Sequence, residues 1–586
     1  MIKRGVSYNG LDCLADASSD AYMKYKHQLQ AEIPWVSQTK YAKYTVYFGI
    51  TTIFVAFVKQ IYYKYRDYTY RSKQSSNIGT SLIDIWISYC RYYGYKQLPT
   101  WLTYFSIPGS VGSALYMFLS SLYMLCYCLV PHFWYRGCAG FGSSPLAVRA
   151  GLMATALTPF IYVLAGKSNA ITLLTGISYE KLNTFHQYTG VACFILSVIH
   201  VVPFIYQDLA EGGSSNLKMN FKDSFEYYSG IPPLILLGLL CILSKSYIRK
   251  VVYELFLHAH WMMGIAYFGT LIWHINKELG ADDYMWGALA FWATQIIYRI
   301  LMKTAFKPNA MFLRSRQAQL EKLGSDGVYQ VVIGNTTGVN WKPGQHCYLR
   351  FAGVRILDNH PFSIASVDEE DKTAMKFIIK AQKGLTRKIY QELDKLITSN
   401  KNVYVDGPYG GTFRDPRSFE RVVLLATGTG VTATLPFLTY LAKTDSIVKR
   451  VSFIWIVRLQ EDIHWVKSEL QECQKLGGSK IDIHIHVAAK KSIYTKGDFE
   501  KEIESEETNL NEEDWLIDYG KPSVTSILKL MAGSLAARNM IVCSGSDSLK
   551  REVSSIVSEL QSLVFNNDLV RSNVEEIYLH TESFGW

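Results

Sequence analysis

The apolar segments FHQYTGVACFILSVIH (residues 185–200) and HWMMGIAYFGTLIWH (residues 260–274) each carry two histidines that lie 14 residues apart. In an α-helix this spacing corresponds to about four full turns and roughly 21 Å of rise, so both histidines share one face at two depths. Two such helices side by side would stack two bis-imidazole sites across a bilayer core of about 30 Å. The predicted pairs are His186 with His260 and His200 with His274.

Ionisable side chains inside membrane helices are costly to bury and mark functional sites. Two imidazoles on one haem iron leave no open coordination position, which favours electron transfer over ligand activation. The alternative is four structural histidines bonded to nearby carbonyls, but finding the same spacing twice among 13 His disfavours it. His258 lies 16 residues before His274, which is about 160° away around a helix, so we predict that it takes no part.

Composition points to a membrane protein with a large soluble portion. The chain has 586 residues, and its 49% hydrophobic content is concentrated in the first half. Much of the basic excess behind the net charge of +10 flanks apolar spans, where it sets topology, so a nucleic-acid partner is not expected. The ten cysteines form no CxxC pair or ligand-spaced cluster, so they predict neither a zinc site nor a disulfide framework.

Seven apolar segments are predicted to cross the membrane, with the chain beyond Lys303 in the cytosol. Basic residues cluster in alternate connections, which the positive-inside rule assigns to the cytosolic side. Residues 1–44 lack the pattern of a signal peptide, so we expect the first span to be retained with the N-terminus outside. The predicted spans are residues 45–65, 112–131, 147–166, 183–205, 231–247, 252–275 and 284–302.

After Lys303 the pattern changes to short β-type runs. VYQVVIG (328–334) and HCYLRFAG (346–353) are separated by turn residues, as in a small antiparallel barrel. From Arg421 the stretch RVVLLATGTGVTATLPFLTYLA reads as a strand, a Gly-rich turn and a helix, and RVSFIWIVR (450–458) follows as the second strand of a βαβ unit. Such a turn presents backbone N–H groups to a pyrophosphate at the helix N-terminus.

With these motifs in this order, residues 112–586 resemble the ferric reductase and NADPH oxidase superfamily, and in detail the yeast ferric/cupric reductase transmembrane family. The resemblance implies an α-helical transmembrane haem bundle followed by a cytosolic ferredoxin-reductase-like module. That module would contain an antiparallel β-barrel FAD domain and an α/β nucleotide-binding domain. The implied divisions are an N-terminal segment (1–44), an extra helix with a cytosolic linker (45–111), a six-helix haem domain (112–305), the FAD domain (306–415) and the NADPH domain (416–586).

The resemblance also implies FAD and two b-type haems as cofactors, with NADPH as the electron donor. The residues implied at FAD are His360, Pro361, Phe362, Ser363, Gly384, Thr386 and the terminal Trp586, which would cover the flavin ring. The residues implied at NADPH are Gly428, Gly430, Thr432, Arg458, Lys521, Cys543 and Gly545.

Four of the implied NADPH residues come with a qualification: Cys543, Gly545, Lys521 and Arg458. CSGSDS (543–548) matches the family's Cys-Gly-Pro loosely. Lys521 stands where the family has an Arg, so it keeps the charge but loses the bidentate fork. Arg458 is the predicted partner of the 2′-phosphate, and the alternative is a solvated strand end.

NADPH gives up two electrons as hydride and a haem iron accepts one, so FAD must stand between them. The resemblance implies transfer to an acceptor on the far side of a lipid membrane, either an Fe(III) chelate or Cu(II). The competing function is reduction of O₂ to superoxide. Phe204 occupies the position where NADPH oxidases usually carry an additional histidine, which favours metal reduction.

A third possibility, a non-catalytic membrane scaffold, is disfavoured because the haem, flavin and nucleotide motifs occur together. The plasma membrane is the implied location, and an internal membrane is the alternative; the oligomeric state is not predicted. Connections 206–230 and 276–283 would face outward and offer oxygen donors to a hard cation. These donors are Asp208, Glu211, Asp223, Glu226, Asp282 and Asp283.

Overall fold

The computed structural model describes residues 7–73, 81–105, 107–131, 136–301, 314–324, 327–334, 336, 339–354, 358–368, 374–394, 398–488, 515–565 and 573–583. It opens with a hairpin of β1 (Ser7–Tyr8) and β2 (Leu11–Asp12). The helices of the first half are α1 (Asp20–Glu32), α2 (Thr39–Lys73), α3 (Leu82–Gly94), α4 (Val111–Leu129), α5 (Pro145–Ala165), α6 (Ala170–Thr175), α7 (Tyr179–Asp223), α8 (Phe225–Leu243), α9 (Ser246–Val251), α10 (Tyr253–Ile275) and α11 (Asp282–Ile300).

Within the described ranges, six helices are long and apolar enough to cross a membrane. They are the run Asp20–Ser72, which contains α2, and helices α4, α5, α7, α8 and α10. The seventh predicted span, 284–302, does form helix α11, but that helix is not among the six. Its first turn carries Asp282 and Asp283 and its last turn carries Arg299. Its crossing of the membrane stays a prediction.

Helix α5 lies at the centre of the bundle, packed against α2, α7 and α11. Most of its side chains are buried, including Arg149, whose guanidinium donates to the carbonyl oxygens of Cys128 at 2.6 Å and Pro131 at 3.2 Å. Helix α7 runs on to Asp223 through a break at Gly213, where φ is +67°. The prediction of a loop over residues 206–230 was therefore wrong, because residues 206–223 belong to α7 and residues 225–230 begin α8.

A disulfide joins Cys13 to Cys138 across 125 residues of sequence. It ties the N-terminal hairpin to the segment that precedes α5, and Tyr22 and Phe141 pack in the same buried cluster. The expectation that the cysteines form no disulfide was wrong for this pair. No local spacing rule could reveal it, because the two cysteines meet only through the fold.

The FAD-type domain is a six-stranded antiparallel sheet with strand order β6-β5-β8-β3-β4-β7. Its strands are β3 (Arg316–Lys322), β4 (Val328–Ile333), β5 (Gln345–Phe351), β6 (His360–Ser363), β7 (Met375–Lys380) and β8 (Thr398–Gly410), with helix α12 (Leu385–Leu393) between β7 and β8. The chain leaving β6 meets β7 through a hydrogen bond from the Ala365 N–H to the Lys376 carbonyl of 2.7 Å. This contact draws the two ends of the sheet together into a barrel-like form.

The second soluble domain is a parallel sheet with strand order β12-β11-β10-β9-β13-β14. Its strands are β9 (Arg421–Thr427), β10 (Arg450–Val457), β11 (Ile481–Val487), β12 (Leu516–Tyr519), β13 (Arg538–Gly545) and β14 (Glu576–Ser583). Its helices are α13 (Val431–Lys443), α14 (Lys467–Gly477), α15 (Val524–Ala532), α16 (Asp547–Leu560) and α17 (Ser562–Phe565). The strand order reverses between β9 and β13, which creates a ligand crevice at their carboxyl ends. The predicted fold class is confirmed.

Four arginines and four carboxylates, all buried, join the first long helices to the soluble module. We call them the interdomain charge cluster: Arg66, Asp67, Asp84, Arg91, Arg414, Arg538, Glu575 and Glu576. Arg414 and Arg538 each pair with both Asp67 and Glu576, at 2.7 to 2.8 Å. Burial alone would raise the pKa of the Glu576 carboxyl, but Arg414 and Arg538 outweigh it and hold that pKa well below its usual range. These charged side chains can be buried because the four positive and the four negative groups compensate each other.

Candidate functional site

The four predicted haem ligands form two facing pairs between α7 and α10. The ring centres of His186 and His260 are 6.2 Å apart, and so are those of His200 and His274. Two metal–nitrogen bonds of about 2.0 Å place the ligating nitrogens roughly 4 Å apart. The rest of the 6.2 Å is the span from each nitrogen to its own ring centre. Both pairs therefore have the separation that one iron between two imidazoles requires.

Each histidine is held at Nδ1 by a neighbouring helix. On the α7 side, Nδ1 of His186 donates to the Ile161 carbonyl at 3.0 Å, and Nδ1 of His200 donates to the Ala147 carbonyl at 2.7 Å. Both acceptors belong to α5. A carbonyl oxygen can only accept, so the proton is on Nδ1 and Nε2 keeps its lone pair for a metal.

On the α10 side the partners are two serines of the α8 segment. Ser229 Oγ lies 2.8 Å from Nδ1 of His274, and Ser244 Oγ lies 3.2 Å from Nδ1 of His260. Each hydroxyl donates its own proton to the carbonyl four residues earlier, both at 2.5 Å. The serine oxygens must then accept from the histidines, which again leaves Nε2 as the ligating atom.

We call His186 with His260 the inner pair and His200 with His274 the outer pair. A cavity of about 860 Å³ opens at the inner pair. Its lining includes His186 and His260 together with Gly190 and Gly264, each four residues after one of these histidines. A Cβ added at either glycine would meet no other atom within 4 Å. The space beside both histidines therefore accommodates a broad, flat group, as the haem hypothesis requires.

Halfway between the two histidine pairs, one side chain of α7 contacts one side chain of α10. Cys193 and Tyr267 each lie seven residues from both histidines of their own helix, and Cys193 Sγ is 3.6 Å from the Tyr267 hydroxyl. Both side chains are buried. This contact therefore places packed side chains between the inner and the outer histidine pair.

The predicted flavin motif forms strand β6 and lies beside the first turn of α10. His360, Pro361, Phe362 and Ser363 pair with β5 in antiparallel register. Glu254, in the first turn of α10, brings its Oε1 to 3.8 Å from Nε2 of His360. Because α10 also carries His260 six residues further on, about 9 Å along the helix, the motif lies close to the inner pair.

The second part of the predicted flavin site adjoins the same carboxylate. Gly384 precedes α12 with a φ of +76°, and a Cβ added there would approach Glu254 Oε1 at 3.9 Å. Thr386, in the first turn of α12, accepts a hydrogen bond from the Gln382 N–H at 2.9 Å. The two halves of the predicted FAD set therefore meet, and the N-terminus of α12 offers N–H groups to a pyrophosphate. Trp586 lies outside the described residues.

The predicted nucleotide turn sits in the crevice between β9 and β13. Gly428 has a φ of +51°, which favours glycine. A Cβ on Gly430 would come within 2.4 Å of the Ser544 carbonyl oxygen, and one on Gly545 within 1.9 Å of Thr427 Oγ1. Both glycines are therefore needed for the two turns to lie side by side. Thr432 is buried in the first turn of α13 and donates to the Thr429 carbonyl at 2.9 Å.

The two basic residues predicted to contact NADPH follow different strands. Arg458 comes directly after β10, the immediate neighbour of β9, and its side chain is exposed. Lys521 follows β12, which is three strands from β9. With strands about 4.8 Å apart, Arg458 is much nearer the glycine turn than Lys521.

Cys543 occupies the crevice through its backbone only. Its side chain is fully buried in a cluster with Leu425 and Val553. Burial raises the pKa of the Cys543 thiol to about 12, so it stays protonated at neutral pH. Any contribution of Cys543 to nucleotide binding is therefore made by its peptide groups.

Three family models match the chain. They describe a ferric reductase like transmembrane component over residues 150–271, an FAD-binding domain over 312–413 and a ferric reductase NAD binding domain over 419–558. A ferric/cupric reductase transmembrane component 7 from Saccharomyces cerevisiae is 35% identical over 99% of this chain and 98% of its own length. The chain belongs to the ferric reductase family.

A probable cell surface ferric reductase from Aspergillus oryzae is 29% identical and aligns with 71% of this chain and 58% of its own length. A solved ferredoxin-NADP⁺ reductase from Plasmodium falciparum aligns with 46% of this chain and 96% of that chain, at 15% identity and a TM-score of 0.31. Family membership makes the protein a multi-pass membrane oxidoreductase that uses NAD(P)H and has an FAD-binding domain.

Two of the six predicted outer carboxylates of this reductase already have structural roles. Asp208 is buried and accepts hydrogen bonds from Asn216 at 3.3 Å and Asn220 at 2.9 Å. Glu211 accepts from the Ala139 N–H at 2.6 Å. The other four carboxylates are exposed or half-exposed: Asp223, Glu226, Asp282 and Asp283.

Several residues around the four predicted haem ligands were not identified from the sequence. Ser229 and Ser244 lie 45 and 16 residues from the histidines they hold. A Cβ on Gly151 would come within 2.7 Å of His200 Nδ1, and one on Gly230 within 3.1 Å of His274 Cε1. These glycines let α5 and α8 approach the ligands. The only signal in the sequence would have been small residues on neighbouring apolar segments.

Proposed function

We propose that this ferric reductase carries electrons from cytosolic NADPH, through FAD and two b-type haems, to an Fe(III) chelate or Cu(II) outside the plasma membrane. The observation that most strongly supports this proposal is that helices α7 and α10 carry two facing histidine pairs, one at each of two levels. In each pair the ring centres are 6.2 Å apart. When bound, FAD exchanges a hydride for single electrons, and haem iron carries one electron at a time.

The chain's own residues provide order and orientation. The predicted ligands His186, His200, His260 and His274 are fixed by Nδ1 hydrogen bonds. The flavin motif of β6 adjoins the first turn of α10, which supports FAD delivering electrons to the inner pair. No general acid or nucleophile is required, because the reaction moves electrons rather than making covalent bonds to the protein.

The direction of transfer is supported by what lies at each end of the bundle. His200 bonds the first turn of α5, and the segment just before that turn carries Cys138 of the disulfide. Disulfides persist in oxidising compartments, so this end fits the outer side of the membrane. The FAD and NADPH domains lie at the opposite end, which fits the cytosol.

We further propose the domain divisions 1–44, 45–111, 112–305, 306–415 and 416–586. The three matched family models fall inside the last three of these ranges. The metals come from the names of the relatives, which are ferric and cupric reductases.

Superoxide production is the competing function, and the residue beside the outer pair favours metal reduction. Phe204 lies one turn from His200, with ring centres 5.4 Å apart, and its other side meets Tyr227 at 5.7 Å. An apolar ring at this position offers no hydrogen-bond donor to a bound oxygen species. Metal reduction requires no such donor.

The test is NADPH-driven turnover of the purified protein in lipid nanodiscs, with Fe(III) chelate, Cu(II) and O₂ offered separately. We expect Fe(II) to form under anaerobic conditions. In air, we expect the rate of Fe(II) formation to stay the same when superoxide dismutase is added. Iron reduction that requires O₂ and is abolished by the dismutase would instead identify an oxidase. Haem content per chain, measured in the same preparation, should be two.

A further inference from the structure

Helix α3 has its polar side buried and its apolar side exposed, the reverse of an ordinary surface helix. Residues 84, 88 and 91 lie along one face and residues 82, 86, 89 and 93 along the opposite face, about 200° away. The first set is Asp84, Ser88 and Arg91, and the second set is Leu82, Trp86, Tyr89 and Tyr93.

The polar face docks on the nucleotide domain. Ser88 donates to the Gln561 carbonyl at 3.1 Å, and Arg91 donates to the Ile577 carbonyl at 2.9 Å and to Glu576 at 3.1 Å. All these contacts are buried. The helix is therefore fixed to the domain that binds the nucleotide, and its outward face is fixed with it.

The apolar face is open along its length. Leu82 is 85% exposed, Trp86 is 70% exposed and Tyr93 is 57% exposed. Tyr89 stacks on Phe565 with ring centres 4.0 Å apart, yet it is still exposed. A contiguous apolar strip of this kind on a docked helix marks a surface that meets another apolar phase.

Both ends of α3 are attached to membrane-spanning helices. At its start, the Tyr62 hydroxyl of α2 donates to Asp84 at 2.7 Å. At its end, Gly94 packs so closely against the first turn of α4 that a Cβ on Gly112 would come within 2.9 Å of Gly94 Cα. Helix α3 is thus held against the N-terminal turn of α4, a helix long and apolar enough to span a membrane.

We propose that the apolar face of α3 lies in the cytosolic leaflet and anchors the nucleotide domain to the membrane surface. Trp86 and Tyr93 are the side-chain types that concentrate at the bilayer interface. The polar face carries this attachment into the nucleotide domain through Arg91 of the interdomain charge cluster. The surface is distinct from the redox sites, and its occupant is lipid.

The natural thiols allow a direct test in the full chain. Cys90 lies on the exposed side of α3, and Cys126 is exposed on the spanning helix α4. A spin label is placed on Cys90 in a Cys126→Ser protein, and on Cys126 in a Cys90→Ser protein as the lipid reference. The aqueous reference is Leu476→Cys with both thiols replaced, because Leu476 is exposed on α14, at the opposite side of the parallel sheet.

In nanodiscs we expect the Cys90 label to collide with O₂ as often as the Cys126 label does. We also expect it to collide with a water-soluble nickel chelate several-fold less often than the Leu476→Cys label. Nickel accessibility equal to that at Leu476→Cys would overturn the proposal, because the face would then be in water. Low accessibility to both reagents would also overturn it, because the face would then be covered by protein.

A matched pair of variants tests the role of the strip. With the label on Cys90, Trp86→Glu should raise nickel accessibility several-fold, because a carboxylate is expelled from the interface, whereas Trp86→Phe should leave it unchanged. An unchanged value in Trp86→Glu would contradict anchoring by this face. Neither reading depends on turnover, so both stand apart from the proposed electron acceptor.

Discussion

The guanidinium of Arg414 donates to the carboxylate of Asp67 at 2.7 Å, although the two residues are 347 positions apart. Asp67 belongs to α2, the first long helix, and Arg414 lies at the end of the FAD-type domain, just after β8. Arg538 of the nucleotide domain also bonds Asp67, at 2.8 Å. One carboxylate of a membrane helix thus fixes both soluble domains.

Loss of this carboxylate should weaken the whole assembly. Asp67→Asn leaves two buried guanidinium groups short of a counter-charge, which costs about 3–5 kcal/mol. We expect a clear fall in the melting temperature of the detergent-purified protein. The control is Glu559→Gln, which breaks an exposed pair with Lys529 at 3.9 Å and should cost no more than about 1 kcal/mol. Equal melting temperatures for the two variants would show that the cluster does not stabilise the fold.

Removing one predicted outer ligand should remove one haem. His274→Ala is expected to halve the haem content while NADPH still reduces the flavin, because the inner pair and the soluble domains are untouched. Haem is measured from its pyridine complex and flavin reduction by stopped flow. His258→Ala is the control, since His258 is half-buried and its Nδ1 accepts a hydrogen bond from the Trp261 indole at 3.5 Å, away from both histidine pairs. Two haems in His274→Ala would refute the ligand assignment.

Ser229, which lies next to His274, should affect the affinity and the midpoint potential of the outer haem. In Ser229→Ala the histidine loses the acceptor that holds its Nδ1 proton, and such partners typically account for 10–100-fold in metal affinity. We expect weaker haem retention during dilution and a shifted midpoint potential, with the inner haem unchanged. Ser197→Ala is the matched control, because its hydroxyl bonds the Cys193 carbonyl at 2.9 Å as an ordinary helix contact. Identical titrations for both variants would mean that Ser229 only packs.

Nucleotide choice should depend on Arg458 more than on Lys521. If Arg458 binds the 2′-phosphate, Arg458→Ala loses a charge-assisted hydrogen bond of about 1.5–3 kcal/mol, which raises the KM for NADPH by roughly 10- to 150-fold. The KM for NADH should hardly change. Lys521→Ala is the comparison, since Lys521 follows a strand three places from the glycine turn. Equal losses with both nucleotides would make Arg458 a structural residue.

Exposed carboxylates at the outer end should attract cationic metals. The variant Asp223→Asn/Glu226→Gln/Asp283→Asn should slow reduction of Cu(II) several-fold at low ionic strength and leave O₂ reduction little altered, because a neutral molecule is not steered. Asp208 is left in place, since it is buried and holds Asn216 and Asn220. Unchanged Cu(II) rates at low salt would show that these are merely solvated charges.

The arrangement of chemical groups along single elements could be read from the sequence. Helical periodicity placed His186 and His200 on one face, and β-type runs with a glycine turn predicted the barrel and the parallel sheet. The fold class and the family resemblance were correct for this reason. Each depends on spacing within one helix, or within one strand and the turn that follows it.

Only the tertiary structure decided the contacts between distant segments of the chain. The disulfide of Cys13 with Cys138 and the bond from His274 to Ser229 join residues 125 and 45 positions apart. Helix α3 shows the same limit, because its apolar face predicts burial inside the protein, whereas its polar face is the buried one. A periodic pattern states that two faces differ, but the partner of each face is set by packing against elements far away in the chain. The sequence therefore determined which groups exist and how they repeat, and the fold determined what they contact.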